Sequence, residues 1–257
     1  MNIPKIINQV WVNNQGSPPP ARYQLHTNTL RDMNPDFEYK IWLDDQVNAL
    51  FQKEPYREFW EVYNQVPYSI MKADIARWVV LHHQGGVYSD MDFVGLRPLS
   101  GLLEQYPNNS IIVAIEPMHK ISMSKKCING FFLVEKEHPV CLEVISSIIE
   151  ACVGVGRGHV DIINTTGPGK VYSVLSRHQE FLSEWVIPRK YILPVLEVYD
   201  PHDDDGSAYV STMWQDGTNW VSEIAVDMIR LPVVNYNVIV PIAVVVVVLF
   251  CIYRGCH

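Results

Sequence analysis

The chain has 257 residues, of which 48% are hydrophobic and 19% charged, with a net charge of −8. That is enough apolar material for one large folded domain or two small ones, and it excludes a disordered chain. No basic cluster accompanies the negative balance, so nucleic acid is not an expected partner. The cysteines are Cys127, Cys141, Cys152, Cys251 and Cys256, with no CxxC pair and no metal-like spacing, which points to free thiols and not to a disulfide framework.

Met1–Ile7 lacks the apolar stretch of a secretory leader and already reads as the approach to a first strand, Ile3–Trp11. The loop Gly16-Ser17-Pro18-Pro19-Pro20 ends it. A helix is expected over Arg22–Met33, stopping at Asn34-Pro35, and a second strand over Glu38–Leu43. Asp45 is placed to cap the next helix, through Leu50 and Phe51. Glu54–Val66 carries Tyr56, Phe59, Trp60 and Tyr63 at helical spacing.

From Tyr68 onward, Met71, Ile75, Trp78, Val79 and His82 form a helical stripe. Asp74 and Arg77, three residues apart, share a face near its edge, where they could form an ordinary surface ion pair. Gly85-Gly86 stops the helix. The β-prone Val87-Tyr88 then carries Asp90 and Asp92 to a strand end, where open α/β sheets bind ligands. Phe93–Leu96 is expected to continue that strand. Two carboxylates at i and i+2, curling past a strand end, suit one hard cation, Mg²⁺ or Mn²⁺, with phosphate and water completing its shell. Two solvated loop acids are the alternative.

Further strands are expected over Ile111–Glu116 and Phe131–Val134, and an amphipathic helix over Pro139–Val153 through Val140, Val144, Ile145, Ile148 and Ile149. Gly154, Gly156 and Gly158 form a break; without a preceding strand they are not a phosphate loop. Thr165–Gly169 opens a short helix over Lys170–Arg177, Trp185–Leu196 is extended, and Ser211–Trp220 is a loop. His202 with Asp203, Asp204 and Asp205 reads as a solvated acidic loop, with a second metal site as the alternative. Strands alternating with helices indicate an α/β fold.

Val238–Tyr253 is uncharged, contains five consecutive valines from Val244 to Val248, and lies between Arg230 and Arg254. As a helix it would reach roughly 24 Å, and with Val233 and Val234 it approaches the ~30 Å of a bilayer core. It reads as a transmembrane tail, with a buried valine strand as the alternative. The expected division is therefore 1–230 as one catalytic domain and 231–257 as a single-pass membrane anchor, its orientation left open by arginine at both ends.

Four motifs occur in order: Ile3-Pro4-Lys5-Ile6-Ile7-x-Gln9-Val10-Trp11, Asn34-Pro35-Asp36-Phe37-Glu38-Tyr39-Lys40-Ile41-Trp42, Ala73-Asp74-Ile75-Ala76-Arg77, and Gly85-Gly86-Val87-Tyr88-x-Asp90-x-Asp92. This series resembles the glycosyltransferases with a DXD sugar-binding region: the yeast-type α-1,6-mannosyltransferases, the mannosyl inositol phosphorylceramide synthases and, more distantly, the clostridial glucosylating toxins. The resemblance runs from about Ile3 to Trp220.

It implies a GT-A fold, a nucleotide-sugar donor (GDP-mannose or a UDP-hexose), a divalent Mn²⁺ or Mg²⁺ ion and transfer with retention of configuration. It further implies a membrane lipid or glycan acceptor, with mannosyl transfer to a sphingolipid foremost, and a Golgi or other endomembrane location. Residue by residue, it implies that Trp11 stacks on the base, Asp74 and Arg77 hold the sugar, Tyr88 lines the donor pocket, and Asp90 and Asp92 bind ribose and metal. Asn129 matches a pocket residue, Thr166-Gly167-Pro168 a loop on the acceptor side, and Thr218 and Trp220 a loop approaching the diphosphate.

The chain departs from the pattern at Asn8, where relatives usually carry histidine. It also lacks the histidine that many relatives place before their closing Ser-Trp, so Gln215 or Asp216 would have to substitute as a metal ligand. Two other readings compete. Asp90-Met91-Asp92-Phe93-Val94 fits literally the nucleophile motif of haloacid dehalogenase-type phosphatases, with Asp90 as nucleophile and Asp92 as acid/base. A membrane-tethered, non-catalytic nucleotide-sugar-binding protein is the other.

Overall fold

A computed structural model describes residues 3–13, 16–116, 125–153, 162–194 and 206–212. Chain contacts divide the protein into Met1–Trp220 and Val221–His257. The second unit, and with it the expected 231–257 anchor, lies outside the described residues, as do Gln215, Asp216, Thr218, Trp220 and the His202–Asp205 loop. Among the described residues no helix is long and apolar enough to cross a membrane.

The central sheet has five strands: β1 (Ile6–Trp11), β2 (Glu38–Leu43), β3 (Gly86–Ser89), β5 (Ile111–Ile112) and β6 (Phe131–Val134), in the order β2-β1-β3-β6-β5. β1 is parallel to β2 and β3, whereas β6 runs antiparallel to both β3 and β5. The second sheet has the order β4-β8-β7, from Phe93–Gly95, Val210–Thr212 and Ile192–Pro194. This mixed α/β architecture matches the expected fold class, with α1 (Arg22–Met33), α4 (Ser69–Gln84) and α6 (Pro139–Cys152) beginning where their sequence signals placed them.

β1 is buried along Ile7–Val10. Its inward polar residues are therefore hydrogen-bonded, as buried polar groups must be. Asn8 is completely buried. Its Nδ2 donates to the carbonyls of Gly85 and Val87 at 3.0 and 3.4 Å, and its Oδ1 accepts from the Trp42 indole at 2.9 Å. One amide thus ties β1 to β2 and to the entry of β3.

α4 departs most from the expectation of a half-buried helix. It is buried along nearly its whole length, from Met71 to His82 apart from Ala73, because α6 and the sheet both pack on it. Asp74 and Arg77 are each 2% exposed, so the surface ion pair is overturned. α4 ends at Gly85, with φ of +66° and a position at which any Cβ would come 2.6 Å from the Lys136 nitrogen. Gly86, at φ +93°, lies so close to the Ile6 carbonyl that a Cβ would come within 2.4 Å of it. Glycine is required here both for left-handed backbone and for the close packing of β3 on β1.

Other expectations are corrected. Helix α2 (Asp44–Leu50) starts two residues earlier than an Asp45 cap requires: Leu43 occupies the cap position, and Gln46 Oε1 accepts from its N–H at 3.0 Å. The aromatic stretch is not one helix but a 3₁₀ turn, Arg57–Phe59, followed by α3 (Trp60–Gln65). Ile111–Glu116 forms a strand only over Ile111–Ile112; beyond it Val113 bridges to Val186 and Ile115 to Cys127, so the extended chain changes partner. Within Trp185–Leu196, a π-helical turn ends at Trp185 and a 3₁₀ turn occupies Arg189–Tyr191 before β7. The Ser211–Trp220 loop begins as part of β8.

Finally, Phe93–Gly95 does not continue β3. The chain turns at Asp90–Asp92, with the Phe93 N–H donating to the Asp90 carbonyl at 3.3 Å, and enters the other sheet, where Phe93 pairs with Thr212. The two aspartates occupy the hinge between the sheets.

Candidate active site

The antiparallel pairing of β3 with β6 builds the site. Ser89 faces Phe131, and the ladder runs one step further, the Asp90 N–H donating to the Gly130 carbonyl at 2.8 Å. That brings Asn129, some forty residues away in sequence, to the acidic turn. α4 is connected to β3 by a tight reversal, so its first turns lie level with the end of β3, where Asp74 and Arg77 reach the same place.

Arg77 is the hub. Its Nη2 lies 3.0 Å from Asp74 Oδ1 and 3.7 Å from Asp90 Oδ1, its Nη1 donates to the Asn129 carbonyl, and its Nε donates to the Ala73 carbonyl at 3.4 Å. The guanidinium also lies over the Tyr88 ring, 5.0 Å from its centroid, and the Tyr88 hydroxyl donates to Asp90 Oδ1 at 2.5 Å. Burial opposes the charge of Arg77, but the surrounding groups, Asp90 foremost, more than offset it and hold the guanidinium above its ordinary range.

Asp74 is saturated on one side. Oδ1 takes Arg77 and the Asn129 Nδ2, at 3.0 and 2.9 Å, and Oδ2 takes the Thr166 hydroxyl at 2.7 Å. Burial pushes this carboxyl upward, against the pull of Arg77, Thr166 and Asn129. The amide of Asn129 is oriented by this contact, because a carboxylate accepts and only Nδ2 can donate. Its Oδ1 is left buried without a partner.

Asp92 shows the same condition. Its Oδ1 is buried and unpartnered. Burial, with the Asp90 charge adding to it, pushes its carboxyl up to about 7, partly opposed by a hydrogen bond from Thr212. Two acids that repel, one with a bare oxygen, fit a hard divalent cation, which would supply the missing charge and the missing partner. Asp90 and Asp92 would be the protein's ligands for it in the described part. Among the described residues no third acid, histidine or cysteine joins them.

Not every expected residue meets here. Tyr88 is 1% exposed and lies under Arg77. Trp11, at the end of β1, packs on Tyr23 with ring centroids 5.7 Å apart and donates its indole N–H to the Ser17 carbonyl at 2.9 Å. Its contacts are thus separate from the Arg77 cluster. The sequence reading placed Thr166 in an acceptor-side loop and missed its contact with Asp74. Gly130 was also missed: a Cβ there would come 2.6 Å from Phe93 Cε2 and 2.7 Å from Asp90 Oδ2. Neither role has a local signal, since both depend on pairings across the fold. Cys127, Cys141 and Cys152 are free, and burial pushes all three thiols upward, so none is poised as a nucleophile.

A buried arginine joining two aspartates and an asparagine beside an i, i+2 acid pair agrees with the sequence relationship. Residues 20–112 match the family described as glycosyltransferase sugar-binding region containing DXD motif. That span contains Asp74, Arg77, Asp90 and Asp92, so the part of the chain that carries them is similar to the glycosyltransferases of the DXD type.

Named relatives match part of the chain. Inositol phosphoceramide mannosyltransferase 1 of Schizosaccharomyces pombe is 31% identical over 149 residues, 57% of this chain and 43% of that one. Initiation-specific alpha-1,6-mannosyltransferase of Candida albicans is 29% identical over 199 residues, covering 65% and 50%. The chain thus spans half or less of the length of these relatives. Among solved structures, PaToxG Glycosyltransferase superposes with a TM-score of 0.51 at 18% identity, over 70% of this chain and 72% of that one. This likeness shows the fold, which is GT-A-like. The haloacid dehalogenase reading of Asp90–Val94 finds no support in any of these matches.

Proposed function

We propose that the protein is a metal-dependent, retaining hexosyltransferase that takes mannose from GDP-mannose and passes it to a membrane-associated lipid or glycan. The observation that carries the reading is the Arg77 hub, which holds Asp74, Asp90 and Asn129 around the bare oxygens of Asp92 and Asn129. Mannose, and a phosphoinositol-ceramide acceptor, are favoured by the names of the relatives from fission yeast and Candida. The valine-rich 231–257 segment, read as an anchor on an endomembrane, is consistent with an acceptor embedded in a bilayer.

Asp90 and Asp92 would hold Mn²⁺ or Mg²⁺, which neutralises the diphosphate and eases its departure. The remaining work is done by the chain itself. Arg77 fixes Asp90 by charge and Asn129 by its carbonyl, so both face the turn without rearrangement. Asn129 Oδ1 is the acceptor free to receive a sugar hydroxyl, and Asp74 holds that amide in orientation. Trp11 offers an indole face at the end of β1 for the base; Thr218 and Trp220, which the resemblance matches to a loop approaching the diphosphate, lie outside the described residues.

A donor screen with Mn²⁺ tests the proposal. Release of diphosphonucleoside from GDP-mannose, exceeding that from UDP-glucose and UDP-galactose and abolished in D90A and D92A, is the expected result. Binding of a nucleotide sugar with hydrolysis of none identifies instead a non-catalytic binding protein, the second reading that the missing histidine before Trp220 supports.

A further inference from the structure

Thr166 is completely buried, and its hydroxyl donates to Asp74 Oδ2 at 2.7 Å, although the two residues are 92 positions apart. It ends the short turn of helix that begins at Ile162: the N–H groups of Thr166 and Gly167 both donate to the Ile162 carbonyl, at 3.0 and 2.8 Å. Two residues later the Pro168 carbonyl accepts from the Cys127 N–H at 3.3 Å. The segment Thr166–Pro168 therefore grips Asn129 from two directions. One grip is on the backbone just ahead of it, and the other runs from Thr166 through Asp74 to the Asn129 amide.

The chemistry makes this relay directional. Asp74 Oδ1 already accepts from Arg77 and Asn129, and among the described residues the Thr166 hydroxyl is the one donor on Oδ2. Without it, one oxygen of a buried carboxylate loses its partner, and the carboxylate rotates to recover a donor from Arg77 or Asn129. Either rotation disturbs the Asn129 amide, whose Oδ1 is buried without a partner. We infer that Thr166 is a positioning residue: its hydroxyl, acting through Asp74, sets the orientation of the Asn129 amide and so selects for the sugar of the donor and not for its nucleotide. The inference rests on the donor-binding reading of the site, and it adds that the loop on the acceptor side is fastened to the sugar subsite.

The test compares T166V, which keeps the shape and removes the donor, with T166S, which keeps the donor. Calorimetric binding with Mn²⁺ is measured for GDP-mannose against GDP, and for UDP-glucose against UDP. T166V is expected to weaken the nucleotide sugar about tenfold, as loss of one hydrogen bond to a charged group does, and to leave the nucleoside diphosphate within about twofold. T166S is expected to behave as the parent. Equal weakening of sugar and diphosphate by T166V, no weakening of either, or a T166S that fails as T166V does, each overturns the inference.

A ligand-free readout separates it from the donor reading. The Asn129 side-chain amide, observed by NMR, is expected to be protected from exchange in the parent and in T166S and to lose protection in T166V. If the parent binds neither nucleotide sugar, the donor reading fails while this signal still decides the role of Thr166. Should T166V not fold, T166A removes the same donor at smaller volume.

Discussion

At the scale of the residue, the site is governed by which buried charges have partners. Arg77 and Asp74 are a buried pair, and such pairs owe their persistence less to Coulomb attraction than to the heavy cost of leaving either member alone. Here each has several additional hydrogen bonds, which is the condition under which burial is tolerated. Asp92 is the opposite case, a carboxyl pushed up to about 7 with one bare oxygen. In the unfolded chain it titrates near 4, so between roughly pH 4 and pH 7 the folded state holds a proton that the unfolded state has released, and stability falls as pH rises through that window. Relative to D92N, the metal-free parent is therefore expected to lose about 4 kcal/mol between about pH 4 and pH 8. Urea midpoints of the two proteins across that range measure it. Added Mn²⁺ is expected to restore the loss in the parent and to leave D92N unchanged.

At the scale of the element, the turn between β3 and β4 matters most, because one chain reversal places Asp90 and Asp92 between two sheets. Its geometry depends on the absence of a side chain at Gly130, which faces Asp90 across the β3–β6 ladder. The methyl of G130A would press on Phe93, a 2%-exposed core residue, and on the Asp90 carboxylate. Overpacking of this kind costs about 1–3 kcal/mol. G130A is expected to lower the urea midpoint accordingly. It is also expected to reduce Mn²⁺-dependent donor hydrolysis by more than an equally destabilising change in α6, since it displaces the carboxylate proposed to hold the metal as well as the core. The β3–β6 pairing, the origin of this constraint, left no mark in the local sequence: Phe131–Val134 was legible as a strand, but its partner and direction were not.

At the scale of the whole molecule, the described site draws on α4, the β3–β4 turn, the strand entry at Asn129 and the Thr166 loop. The family match, at residues 20–112, covers only the first two. The rest of the site comes from chain beyond it. A ligand that engages all four regions stabilises them together. Mn²⁺ and GDP added jointly are expected to raise the unfolding free energy by about 2.7 kcal/mol at one hundred times the dissociation constant. Each alone gives less, and D90N removes the joint effect. Differential scanning calorimetry at fixed protein concentration measures it.

The sequence by itself determined the helices Arg22–Met33 and Ser69–Gln84, the strands around Ile6 and Glu38, and the Gly85-Gly86 stop. These are local facts, fixed by periodicity, by glycine at positive φ and by motifs of a few residues. It also suggested a surface ion pair and a strand running unbroken through the acid pair, and in both cases long-range packing decided otherwise. Only the tertiary structure buried Arg77, turned the chain between Asp90 and Asp92, and joined Thr166 to Asp74. Burial and partner choice depend on what the rest of the fold brings alongside, and no window of neighbouring residues contains that information.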